Sequence, residues 1–150
     1  MGAEVKSMSF SVDDGRPAYH VDDPRCVALG VWLITDIRNS FFACLDALAL
    51  IDDALHGRPS MGKWEGEGFD IHVAADRVVL RNIWLDGQRG EYPVPEVRDA
   101  LERYWHFLAG LPASPRVTRV HRRDLPAIQA DLLDWEETWH RPHPYRGRLF

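Results

Sequence analysis

Apolar residues recur every three or four positions between Thr35 and His56, and this spacing constrains the fold more than any other feature of the sequence. Because one turn of an α-helix takes about 3.6 residues, side chains at these intervals share one face. Gly57 and Pro59 follow, and both residue types favour the end of a helix. The pattern predicts one long helix whose buried stripe is formed by Ile37, Phe41, Cys44, Leu48, Ile51 and Leu55.

Two further helices are predicted in the second half of the chain. Pro95 is placed to begin a helix and Gly110 to end it. The stripe of that helix consists of Val97, Leu101, Tyr104, Trp105 and Leu108. The last helix is expected to be capped by Asp124. Its apolar positions are Ile128, Leu132, Trp135 and Trp139, and the chain beyond Pro142 is expected to be irregular.

Short segments of alternating polarity predict two β-hairpins. Residues 8–12 and 18–21 flank a turn-rich stretch at 13–17, which contains Asp, Gly and Pro. Residues 69–73 alternate between apolar and polar side chains and lead through a short connection to a strand at 78–85. Neighbouring strands of this kind favour antiparallel pairing.

The run from Val27 to Leu33 is apolar at nearly every position, which favours a strand buried on both faces near the centre of a sheet. A short strand is also expected at 117–120. No repeat or long linker divides the sequence, so residues 1–150 are expected to form a single domain. Together the elements predict an α+β fold, mainly an antiparallel sheet with helices packed chiefly on one side.

The charge of the chain argues against nucleic acid as its main partner. The sequence has 18 Lys and Arg against 23 Asp and Glu, a net charge of −5. Residues 1–110 hold 11 basic and 18 acidic side chains, a net charge of −7. Because affinity for polyphosphate comes from cationic side chains, a basic protein is the more natural partner.

Cysteine usage and hydropathy favour a cytoplasmic protein. Cys26 and Cys44 lie in apolar surroundings without the spacing of a metal site or a redox pair, so both are expected to be reduced core residues. The hydrophobic stretch at 26–34 is too short to span a bilayer, and no secretory leader precedes it. We therefore expect no membrane anchor and no bound cofactor.

The stretch Gly66-Glu67-Gly68, with Glu65 before it, raises the question of a catalytic carboxylate pair. The glycines lead into a strand and not into a helix, so a nucleotide-binding loop is disfavoured. Glu65 and Glu67 share a face if the backbone is extended, but both look equally solvated, whereas an acid and a base need different environments. An acidic rim is the favoured interpretation.

The remaining polar residues do not point to catalysis or to a metal. Pro142 prevents a regular helix from presenting His140 and His143 together, so no zinc site is predicted. His72 is expected on the outer face of a strand. The basic residues after Pro115 are interpreted as an exposed edge strand, and they are Arg116, Arg119, Arg122 and Arg123.

The order of several elements resembles a group of small bacterial proteins. It combines the expected buried strand ending in Trp32 with the helix "SFFACLDALALIDDALHG" and the strands "WEGEGFDIHV" and "RVVLRNIW". Across residues 26–108 this order resembles immunity proteins of contact-dependent growth inhibition systems. The resemblance implies a cytoplasmic antitoxin that binds the toxin domain of a large secreted effector, often a nuclease, and blocks it without catalysis. It assigns no functional residue, because such families diversify on their binding faces.

The acidic surface and the resemblance together suggest contact residues for a basic toxin. The first candidates are Glu65, Glu67 and Asp70. A second candidate patch consists of Asp13, Asp14, Asp22 and Asp23. Direct binding of nucleic acid or membrane is not expected.

Two other classes of function stay open at the level of sequence. The protein could be a small hydrolase that uses Glu65 or Glu67 with His72, which a deep, partly apolar pocket around them would favour. It could also be an adaptor that docks through its Trp-rich last helix. An exposed apolar face around Trp135 and Trp139 would support that function.

Overall fold

A computed structural model of the protein describes residues 8–58, 64, 66–74, 76–111, 122 and 124–149. Within these residues the chain forms four α-helices and two antiparallel sheets, one of two strands and one of three. The predicted α+β class is confirmed. The elements are β1 Ser9–Asp13, β2 Arg16–His20, α1 Val27–Trp32, α2 Phe41–Leu55, β3 Phe69–Val73, β4 Arg77–Asn82, β5 Arg89–Pro93, α3 Val94–Ala109 and α4 Ala127–Trp139.

The first predicted hairpin is confirmed, with β1 antiparallel to β2 and Asp13 opposite Arg16. Asp14 and Gly15 form its two-residue turn, and their φ angles of 51° and 75° both lie in the left-handed region. Two positive φ angles suit the twist of a hairpin, and Asp-Gly is a preferred pair for such a turn. The turn therefore places Asp13 and Asp14 at an exposed tip.

The predicted buried strand at 27–33 is wrong, because this run forms α1 and continues into a π-helical turn at Leu33–Ile37. Trp32 is buried, and α1 packs against β2, β4 and β5. A short run that is apolar on every side suits a core helix as well as a core strand, so periodicity does not separate them. A methyl group at Gly30 would overlap the Tyr19 ring, which shows how closely the first hairpin approaches this helix.

The long predicted helix begins later than its apolar stripe indicates, since α2 starts at Phe41. Arg38 adopts a φ of 56° and a ψ of −128°, and the Ser40 backbone N–H donates to the Ile37 carbonyl at 3.1 Å. This tight turn interrupts the helix. The Ser40 side chain then caps α2 by accepting a hydrogen bond from the Ala43 N–H at 3.0 Å.

The second predicted hairpin, β3 with β4, is confirmed and is extended by a strand that the sequence did not indicate. That strand, β5, has the polar sequence Arg-Gly-Glu-Tyr-Pro, so hydrophobic alternation does not mark it. α1 and α3 pack against β4 and β5. The buried side chains of this sheet include Phe69, Val78, Leu80 and Tyr92.

The helix predicted between Pro95 and Gly110 is confirmed as α3, and the last helix is confirmed as α4. The predicted cap is wrong: Pro126 occupies the N-cap position of α4, and Asp124 instead binds Arg122 at 3.2 Å. The expected strand at 117–120 lies outside the described residues, as do Arg116, Arg119 and Arg123.

Buried ion pairs join the end of α2 to the C-terminal segment, and sequence reasoning did not identify them. Asp52 and Asp53 are buried at the last turn of α2. Arg58 binds both carboxylates, and Arg141 binds Asp53 at 3.1 Å. Because Arg141 follows α4 and Asp53 lies on α2, their ion pair fixes the segment after α4 onto α2. Loss of the arginine would leave the buried Asp53 carboxylate with less compensating charge.

Both cysteines, Cys26 and Cys44, are buried and are free thiols, as predicted. Burial raises the pKa of the Cys44 thiol, which keeps it protonated and unreactive. In the described part of the chain, no helix has the length and hydropathy needed to cross a membrane.

Candidate functional site

The loop that contains Gly66 and Gly68 folds around the carboxylate of Asp36. The Trp64 indole N–H donates to Asp36 Oδ2 at 2.9 Å, and the Gly68 backbone N–H donates to Oδ1 at 3.1 Å. Asp36 lies in the π-helical turn, about thirty residues earlier in the chain. Burial raises the pKa of Asp36, although these hydrogen bonds and the nearby Arg38 lower it. One partly buried carboxylate thus fixes the path of the loop.

The two glycines are needed for this close approach. A methyl group at Gly66 would overlap both Asp36 Oδ2 and the Trp64 indole nitrogen. At Gly68 it would lie 3.0 Å from Asp36 Oδ1, which is shorter than an ordinary contact. The glycines therefore serve backbone packing around a carboxylate and not the binding of a phosphate.

Gly66→Ala is expected to destabilise the protein by about 1–3 kcal/mol, because the Asp36 carboxylate must leave its hydrogen bonds to accommodate the methyl group. The matched control is Gly87→Ala, where an added methyl group meets no atom within 4 Å of the described structure. We expect the control to change stability by less than about 0.5 kcal/mol. Chemical denaturation of both variants measures the difference, and equal stabilities would disprove this packing role.

Glu67 points outward from the ordered loop, and 88% of its side chain is exposed. Its carboxylate lies 3.4 Å from the Arg38 guanidinium, which is itself largely exposed. The backbone of Arg38 is held by the Tyr104 hydroxyl, which donates to the Arg38 carbonyl. Glu67 is therefore an accessible carboxylate on a fixed backbone. The other candidate of this pair, Glu65, lies outside the described residues.

Asp70, the third candidate on this side, is exposed on the outer face of β3. It binds Arg81 on β4 at 3.1 Å, the residue directly opposite it in the sheet. His72, on the same face of β3, is also exposed. The outer face of the sheet therefore carries both signs of charge, and Asp70 is a less independent acidic contact than Glu67.

The second candidate patch is divided between two environments. Asp13 and Asp14 are exposed at the tip of the first hairpin, and Asp22 is exposed beyond β2. Asp23 instead caps a short 3₁₀ helix by accepting the Arg25 N–H at 2.9 Å, and its carboxylate also binds the Arg25 guanidinium. Its side chain is only 13% exposed. Asp23 therefore has a local structural role.

Sequence reasoning missed an exposed apolar turn next to Glu67. β4 ends at Asn82, and the next three residues are Ile83, Trp84 and Leu85, which are 46%, 77% and 54% exposed. We call these three residues the apolar tip. The Trp84 indole N–H donates to the Glu67 backbone carbonyl at 3.0 Å, so the tip adjoins the Gly-Glu-Gly loop.

A signal for this tip is present in the sequence. The predicted strand at 78–85 includes Ile83, Trp84 and Leu85, although three consecutive large apolar residues break the alternation of a half-buried strand. They are followed by Asp86-Gly87, a common turn pair. Because turns lie at the protein surface, apolar residues in a turn are more often exposed than those in a strand.

Of the two predicted hydrolase pairs, only Glu67 with His72 can be compared with the structure, because Glu65 lies outside the described residues. An open groove of about 780 Å³ is lined by His72, Asp70 and Ile71, among other residues, but Glu67 is not among those that line it. Glu67 projects into solvent on the preceding loop. Among the described residues, the structure therefore does not bring Glu67 and His72 together in a deep pocket.

The predicted adaptor face on α4 is occupied by contacts within the chain. Trp135 is buried, and Trp139 is partly buried. Both indole N–H groups donate to Asp46 Oδ1 on α2, at 2.7 and 2.9 Å. His143 is also buried, and its Nε2 atom is bonded to the Leu45 carbonyl at 2.8 Å. These aromatic side chains therefore serve the packing of α4.

The protein has an α+β fold, and on its surface the exposed carboxylate of Glu67 lies on a loop that adjoins the exposed indole of Trp84. No protein-family model, curated protein or solved structure matches the chain. The resemblance to immunity proteins of contact-dependent growth inhibition thus stays a prediction from the sequence. One of the elements that carry it, the expected strand ending in Trp32, is a helix.

Proposed function

We propose that the protein is a cytoplasmic immunity protein, which binds a cognate toxin domain, a basic nuclease, and blocks it without catalysis. The observation that carries this proposal is the exposed Glu67 carboxylate on a loop fixed by Asp36. A nuclease must bind polyphosphate and therefore presents cationic side chains, for which an ordered carboxylate is a suitable partner.

The existing contact between Glu67 and Arg38 does not prevent this role. The two groups are 3.4 Å apart, and their side chains are 88% and 64% exposed. Exposed ion pairs of this kind contribute about 0–1 kcal/mol, because water screens them. Glu67 can therefore exchange Arg38 for a cation of the partner at little cost.

The charge of the whole chain supports the same partner. With a net charge of −5, the protein attracts a basic domain over distances comparable to the Debye length. This attraction speeds encounter, whereas the contacts at Glu67 would lengthen the lifetime of the complex. We expect affinity to weaken as salt concentration rises.

Glu67→Lys is expected to weaken binding by about 2 kcal/mol, close to thirtyfold, because it replaces an attraction with a repulsion at the interface. The probe is the C-terminal domain encoded by the reading frame immediately upstream, where an immunity gene normally has its toxin, with its catalytic residue inactivated. Affinity is measured by calorimetry. Growth protection against the active toxin should fall in parallel. Thermal melts should show a folded variant, since Glu67 is exposed.

The matched control is Glu137→Lys, which makes the same charge change at an exposed position on α4. It tests whether the loss at Glu67 reflects a local contact or only the net charge. If both variants bind as the wild type does, Glu67 is not at the interface. If the wild-type protein does not bind the toxin domain at all, the proposed function is wrong.

A further inference from the structure

The apolar tip exposes more large apolar surface than any other three consecutive residues that the structure describes. Trp84 is 77% exposed, and its neighbours Ile83 and Leu85 are about half exposed. Exposed tryptophan is costly in water, and tryptophan is enriched among the residues that dominate protein interfaces. The packing of the described residues therefore does not account for the tip.

The backbone of the tip is fixed before any partner binds. The Asn82 side-chain oxygen accepts the N–H groups of Trp84 and Leu85 at 2.8 and 3.1 Å, and its amide donates to Gln88 at 2.8 Å. The Asn82 N–H also donates to the Gln88 carbonyl at 2.8 Å. Asn82 is buried, so this network is shielded from water. A preordered turn loses little entropy on association, which favours affinity.

The orientation of the indole leaves its apolar surface available. Its N–H group is already bonded to the Glu67 carbonyl at 3.0 Å, so a partner needs to supply no acceptor for it. An apolar recess alone would satisfy the ring. The same hydrogen bond couples the position of the ring to the loop that presents Glu67.

We infer that the apolar tip is the central contact of the interface, and that Trp84 inserts into an apolar recess beside basic residues of the cognate toxin domain. This inference rests on the proposed function. Two acidic residues adjoin the tip, namely Glu67, whose backbone carbonyl accepts the indole N–H, and Asp86, the next residue in the turn. An apolar centre with a charged rim is the common anatomy of a specific protein interface.

The flanking charges favour this partner over two other occupants. An anionic lipid surface would repel Glu67 and Asp86 as the indole approached it, and the nearby guanidinium of Arg38 is already paired with Glu67. A second copy of this chain, docked tip to tip about a two-fold axis, would bring the same carboxylates toward their own counterparts. A basic protein surface instead attracts them.

The test measures the affinity of three variants for the same inactivated toxin domain that tests the proposed function. Trp84→Ala should weaken binding by about thirtyfold or more, as expected for an aromatic residue at the centre of an interface. Trp84→Phe keeps an apolar ring but loses the hydrogen bond to Glu67, so its loss should be smaller. The control is Val12→Ala, a truncation at another exposed apolar position, which is 50% exposed on β1. It should bind within about twofold of the wild type.

The outcomes separate this inference from the function on which it rests. If the wild type binds the toxin domain and Trp84→Ala binds equally well, the tip is not central, although the proposed function stands. If the wild type does not bind, both are overturned. Sedimentation of the chain alone should show a monomer, and vesicles of phosphatidylglycerol and phosphatidylethanolamine should not retain it. A dimer or vesicle binding that Trp84→Ala abolishes would assign the tip to that occupant instead.

Discussion

Leu48→Ala is expected to destabilise the folded protein by about 2–5 kcal/mol, through lost burial and the cavity that the smaller side chain leaves. Leu48 lies in the middle of α2 and has no solvent-exposed surface. α2 packs chiefly against α3 and α4, so a cavity on its buried stripe lies between helices that cannot easily close it. Denaturant unfolding, followed by far-UV circular dichroism, measures the change.

The control for this prediction is Leu85→Ala, which removes the same atoms from a position that is 54% exposed. We expect a loss below about 0.5 kcal/mol there. A comparable loss at both positions would contradict the burial of the α2 stripe. Because Leu85 belongs to the apolar tip, the same variant also shows that the tip contributes little to folding.

Acidification from pH 7 to pH 5 is expected to cost about 2 kcal/mol of stability through His143 alone. Burial lowers the pKa of His143 from its ordinary value of 6.5 to about 4. Its ring accepts the Tyr145 N–H at Nδ1 and bonds to the Leu45 carbonyl through Nε2. A carbonyl only accepts and a backbone N–H only donates, so these partners fit the neutral ring with its proton on Nε2.

The direction of this effect follows from which state binds the proton. Between pH 6.5 and pH 4 the unfolded chain protonates His143 while the folded protein does not, so stability rises with pH in this window. Protonation of Glu136 also destabilises the folded protein. A hydrogen bond from Arg146 lowers the pKa of this carboxyl below 4.5, so the folded state favours the ionised form. That contribution falls mainly below pH 5, which is why the measurement stops there.

The control variant is His143→Gln, which has no titrating group at this position. Its unfolding free energy is measured by denaturant titration at several pH values. Between pH 7 and pH 5 this free energy should fall by about 2 kcal/mol less than that of the wild type. If the wild type and the variant show the same dependence on pH between 7 and 5, the ring of His143 is not held neutral by burial.

Local signals were sufficient to predict most elements of the fold. The first hairpin, the stripe of α3 and the alternation of β3 each arise from neighbouring residues, and each was confirmed, although the turn of the hairpin is shorter than the predicted stretch at 13–17. The same rules failed for α1, since an apolar run fits a core helix and a core strand equally well. They also failed for β5, which pairs with β4 through the backbone, an ion pair between Arg77 and Glu91, and one buried tyrosine, Tyr92.

Sequence patterns predicted only part of the candidate site, because the loop at Glu67 depends on a contact with a residue distant in the chain. Glu67 was identified by its flanking glycines, but the reason for those glycines is Asp36, which a sequence pattern does not connect to them. The predicted strand includes Trp84 because its apolar run hides a local turn, in which the Asn82 side chain accepts the N–H groups of Trp84 and Leu85.

The most direct test of the account is hydrogen–deuterium exchange of the wild-type protein, alone and saturated with the inactivated toxin domain. Amides buried by a partner exchange more slowly, and the comparison locates the interface without any substitution. We predict slower exchange at residues 66–69 and 82–88, with little change in α4. A complex that protects α4 or the first hairpin while leaving 66–69 and 82–88 unchanged would contradict the account.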